Sequence, residues 1–162
     1  VLLVFRWMKK PDNKVNMNRN SGAVAVLYSS AEKSKDGCFL FVDNGVVSNQ
    51  GFYEVSERMK SQDAVVLDSV AGDGDLFLVC KEQNKKKAEE MAKAFACRIR
   101  VWPLSEEEYK NTPLEGFQNG YILTAGEEKN GKIYVRHART SADMDLNIER
   151  MEQIRDGILK LV

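Results

Sequence analysis

Histidine is almost missing from this chain of 162 residues: there is one, His137. Any histidine-based acid, base or metal ligand must be that residue, so a zinc site built on several histidines is excluded. Cysteine is sparse as well. Cys38, Cys80 and Cys97 are odd in number, widely spaced and set among apolar neighbours, the pattern of reduced thiols buried as small hydrophobes rather than of a disulfide framework. That usage points to a reducing, cytoplasmic compartment. Net charge is absent too: 24 basic side chains balance 24 acidic ones. The global attraction that carries general nucleic-acid or membrane-surface binders is therefore missing, and such binding would need a local patch. Long apolar runs are also lacking, since none approaches the roughly 18 residues that span a bilayer. The opening Val1-Leu2-Leu3-Val4-Phe5 is short, has no basic leader and runs into Arg6 and Lys9-Lys10, so it reads as a strand rather than a signal segment.

What is present is an ordinary globular balance, with 43% hydrophobic and 30% charged residues. The length suits a single domain over residues 1–162, without repeats or a linker. Residues 1–37 read as N-terminal strands (Val1 to Met8, then Ala23 to Tyr28) around an Asn-rich loop at residues 11–22. Residues 38–103 form the readable core. Cys38 to Asp43 is a strand by composition, and Phe52, Val55 and Met59 fall on one face of a short helix. Ala64 to Val70 and Leu76 to Lys81 flank Asp73-Gly74, the signature of a two-residue hairpin turn. Asn84 caps a helix whose inner stripe is Ala88, Met91, Ala92 and Phe95, with Lys85, Lys86, Lys87, Glu89 and Glu90 in solvent. Arg98 to Trp102 alternates as a strand that Pro103 stops. The order strand, helix, strand, strand, helix, strand predicts an α+β fold on a ferredoxin-like βαββαβ core.

Residues 104–162 add a capping box at Ser105 and Glu108, a hairpin of Tyr121 to Lys129 and Lys132 to Arg139 around Asn130-Gly131, and a C-terminal helix striped by Ile148, Met151, Ile154, Ile158 and Leu161.

In that arrangement Leu76, Leu78 and Cys80 face the helices, while Phe39, Phe41, Phe77, Arg98, Arg100 and Trp102 gather on the opposite sheet face. Three occupants of that face are open: the terminal segments of the chain, a partner protein or second copy, and single-stranded nucleic acid stacked on the rings. The run Leu40-Phe41-Val42-Asp43-Asn44-Gly45 resembles the shorter signature of RNA-recognition-motif domains. The resemblance implies base stacking on Phe41 and Phe77, although Asp73, Asp75 and Cys80 stand where the longer signature carries basic and aromatic residues.

Catalytic chemistry finds little footing. No nucleophile can be placed beside His137 from spacing, so a small enzyme using it is the third reading. Asp68, Asp73 and Asp75 read as turn chemistry rather than a calcium site, and Gly72 and Gly74 precede a strand where a dinucleotide fingerprint needs a helix. The sequence predicts no catalytic, metal or cofactor residues. The leading expectation is a non-catalytic interaction or assembly protein with a protein partner or as a homo-oligomer, away from membranes, with nucleic-acid binding as the alternative.

Overall fold

The computed structural model describes Met17 and residues 21–42, 50–135 and 144–162. The expected first strand, most of the Asn-rich loop and His137 lie outside these residues. Eleven residues, Asn119–Lys129, form the longest strand, and every other described strand borders it or is one removed. In chain order the elements are α1 (Gly22–Lys33), α2 (Gln50–Met59), β1 (Asp63–Asp68), β2 (Asp75–Lys81), α3 (Lys85–Ala92), β3 (Ile99–Leu104), α4 (Glu106–Tyr109), β4 (Asn119–Lys129), β5 (Lys132–Tyr134) and α5 (Ile148–Ile158). The chain is α+β. Its sheet runs β1-β4-β2-β3, with β5 paired to the far end of β4.

This order replaces the expected ferredoxin-like core. β1 and β2 are both strands, but they form no hairpin: β4 lies between them, parallel to β1 (Asp68 opposite Thr124) and antiparallel to β2 (Phe77 opposite Thr124). The cause is burial. Tyr121, Leu123 and Ala125 on one face of β4 and Thr124 on the other are all covered, and a strand apolar on both sides belongs inside a sheet. The connection Ser69–Gly74 instead carries the chain past β4. Ser69 takes φ 55° and Gly74 φ 102°, and a Cβ at Gly74 would overlap the Gly126 carbonyl, so glycine is required there.

Three further expectations are corrected. Ala23 to Tyr28 is helical, not a strand. Its alternating Val24, Val26 and Tyr28 mimic a two-residue period, but the buried set is Gly22, Ala23, Val26 and Ser30, the spacing of a helix face. Residues 38–42 have no regular secondary structure and pair with no described strand. Pro103 also fails to stop β3, which continues to Leu104; β3 borders the described sheet, the position in which a strand tolerates proline.

Other local signals are realised. Ser105 and Glu108 form the capping box of α4. Asn130 and Gly131, both at positive φ, turn β4 into β5. Asn84 precedes α3 as expected, although its side chain donates to the Gln118 carbonyl at 3.3 Å instead of capping the helix. In α5, Met151, Ile154 and Ile158 turn inward while Ile148 is exposed.

Helices cover both faces of the sheet. On one side Ala23 and Val26 of α1, Ala88 of α3 and Ile154 and Ile158 of α5 pack with Leu76, Leu78, Cys80, Tyr121, Leu123 and Ala125. On the other, Tyr109, Leu114 and Phe117 close over Val66, Leu104 and Ile122 together with Val55 and Met59 of α2. Replacing Leu123, fully buried at the centre, by alanine should cost about 2–5 kcal/mol, read as a lower urea midpoint at unchanged slope.

Burial also pushes the Tyr109 and Tyr121 hydroxyls from 10.0 up to about 12, and the Cys80 thiol from 9.0 up to about 11. The folded chain thus binds these protons more tightly than the unfolded chain does. Their contribution is complete below the unfolded value of 9.0 and is lost as pH rises toward 11 and then 12. Urea midpoints should accordingly fall from neutral pH into the alkaline range; a midpoint that rises there would contradict the assignment.

Candidate functional site

At the end of the sheet where β2 and β3 begin, polar side chains take over from the core. Parallel pairing sets Phe77 beside Arg100 and Val79 beside Trp102, so Phe77, Arg100 and Trp102 share the face away from α3 and α5. The Trp102 ring meets Phe77 edge-on, with centroids 5.8 Å apart and planes at 90°. The Arg100 guanidinium lies over Phe77, 5.0 Å from its centroid. Two carboxylates fix Arg100 from its far side: Nη2 donates to Glu128 at 2.5 Å and Nη1 to Asp75 at 3.2 Å. These hydrogen bonds, the one to Glu128 foremost, hold the guanidinium even more firmly in its charged form.

A second arginine organises the neighbouring turn. Asn147 accepts from the Arg150 backbone N–H at 3.0 Å and donates its own N–H to the Ala71 carbonyl at 2.8 Å, which seats the start of α5 against the β1–β2 connection. The Arg150 side chain then donates through Nη1 to the Gly72 carbonyl and through Nη2 to the Gly74 carbonyl, the latter at 2.8 Å. Between this turn and the start of β3 opens a cleft of about 310 Å³, lined chiefly by Asp75, Arg98, Arg100, Glu149, Arg150 and Gln153, with Cys97 in its wall.

The six residues expected on one sheet face are thus divided. Phe77, Arg100 and Trp102 come together, and Arg98 joins Arg100 at the cleft. Phe39 and Phe41 do not, because residues 38–42 are not part of the sheet: Phe39 packs on the main core and Phe41 is exposed. Phe77 is fully buried, so its ring offers no free stacking surface. The α5 contribution, Asn147, Arg150 and Gln153, escaped the sequence reading, which took from that helix only its apolar stripe. An asparagine just ahead of the stripe was the one available signal.

Comparison with known proteins adds a fold. No known family matches the chain, and no curated protein does. A solved structure is similar to it: a zinc aminopeptidase from Bacillus subtilis, with a TM-score of 0.62 over 90% of this chain at 12% identity. What is shared is the fold. The match spans 42% of that protein's length. Among the described residues no group of three or more His, Cys, Asp or Glu side chains could hold a metal. No described helix is long and apolar enough to cross a membrane.

The thiols give a direct check of the geometry. Cys38 is exposed, Cys80 is buried, and Cys97 is half-buried with burial raising its pKa and Arg150 lowering it in part. At about pH 8 an aromatic disulfide reagent should modify Cys38 at once, Cys97 slowly, and Cys80 only when the chain unfolds.

Proposed function

We propose that this chain is a non-catalytic interaction protein that works through protein contacts, self-association being the simplest form. One observation carries the reading: α1 is apolar on both sides but covered on one. Ala23 and Val26 enter the core, whereas Val24 and Tyr28, one helical turn apart, stand in solvent at 42% and 58% exposure. A helix that is apolar around its circumference is normally enclosed. Leu40 and Phe41, shortly beyond its end, are exposed as well. An unpaired apolar surface of this kind is costly in a monomer and productive in an interface.

Single-stranded nucleic acid finds less support, since Phe77 is enclosed and Arg100 is already held by two carboxylates. Self-association predicts a molar mass that rises with concentration in size-exclusion chromatography with light scattering. Tyr28→Asp should shift the mass toward the monomer without lowering the urea midpoint, because the ring it removes is outside the core. A strict monomer at every concentration, unchanged by Tyr28→Asp, would remove self-association.

A further inference from the structure

The cleft between β3 and α5 holds more positive charge than the fold consumes, and we propose that it binds a small dianionic oxyanion of the phosphate class through Arg98 and Arg150. Three guanidinium groups line it, Arg98 and Arg100 from the start of β3 and Arg150 from α5, against the carboxylates of Asp75 and Glu149. Arg100 is spoken for by Asp75 and by Glu128, which lies outside the lining. Glu149 accepts a hydrogen bond from Gln153 at 3.4 Å.

Arg98 and Arg150 are different. Among the described residues neither has a carboxylate within ion-pair distance. Arg150 is fixed by two backbone carbonyls, Gly72 and Gly74, which orient a guanidinium but do not cancel its charge. Only two of its five N–H donors are occupied in that way. The result is a cation held in place, partly shielded from water, with donors to spare. Arg98 stands exposed at the same cleft and forms no hydrogen bond among the described residues. Two forked, permanently charged donors are suited to a group presenting several oxygens and a double charge. A volume of about 310 Å³ is at the small end for ligand sites and fits a compact anion rather than a polymer. The lining itself is polar, with Leu76 its main aliphatic member.

Inorganic phosphate is the probe, titrated into the full chain at low ionic strength by calorimetry and by amide chemical shifts, with succinate and acetate as parallel arms at matched ionic strength. Saturable phosphate binding should shift the amides of residues 98–100 and 147–150. Arg98→Gln should weaken it about tenfold, or about 1.4 kcal/mol, while Lys110→Gln, beyond the other end of β3, leaves it unchanged. If Arg150→Gln unfolds the chain, Arg98→Gln alone carries the test. Succinate binding comparable to phosphate would overturn the phosphate class. Absence of saturation up to millimolar phosphate, equal binding of acetate, or no effect of Arg98→Gln would each overturn it.

Discussion

The arrangement of this protein depends on β4 being buried on both faces. With Tyr121, Leu123 and Ala125 covered on one side and Thr124 on the other, β4 lies inside the sheet, pairs in parallel with β1 and antiparallel with β2, and so makes the sheet mixed. Every layer follows from that placement. Helices α1, α3 and α5 pack on the face carrying Leu123, and α2 with the segment from Tyr109 to Phe117 packs on the face carrying Ile122. Even the left-handed Ser69 and the glycine at position 74 answer to it, since the chain leaving β1 must bypass β4 before β2 begins. Burial has its costs here: the Tyr121 and Thr124 hydroxyls are enclosed without a hydrogen-bond partner among the described residues.

The same detour explains why the polar chemistry gathers where it does. A connection that crosses the sheet end exposes its carbonyls, and Arg150 satisfies those of Gly72 and Gly74. Beside it, Arg100 ties the start of β2 to the extension of β4 through Asp75 and Glu128 while covering Phe77. A sheet end closed by arginines is structurally useful in itself. It becomes a candidate site because Arg98 and Arg150 retain charge that no described carboxylate neutralises.

Two surfaces are left incompletely used by the fold, the outer side of α1 and the arginine-lined cleft. Likeness to a zinc aminopeptidase does not choose between them, because a shared fold transmits an activity only when the residues that perform it are shared.

Much of the local structure was legible in advance. The stripe of α3, the Ser105–Glu108 capping box, the Asn130-Gly131 turn and the inner stripe of α5 depend on contacts a few residues apart, and side-chain spacing reports those directly. Strand identity was legible at β1, β2 and β3 for the same reason. Partner choice was not: alternation looks identical whether Val66 pairs with β2 or with β4, so the Asp73-Gly74 hairpin and the ferredoxin-like order were reasonable locally and wrong globally. α1 reads as a strand from its sequence because Val24, Val26 and Tyr28 alternate within a short apolar run, and only the buried set shows the helical period. Of the six residues expected to share a face, the strand pattern correctly joined Phe77, Arg100 and Trp102. Sequence by itself determined which segments were helical or extended wherever short-range periodicity was clean. Only the tertiary structure decided which strand lies in the middle, and with it where Arg98, Arg100 and Arg150 meet, because long-range pairing is set by the burial of the whole sheet and not by the pattern of any one strand.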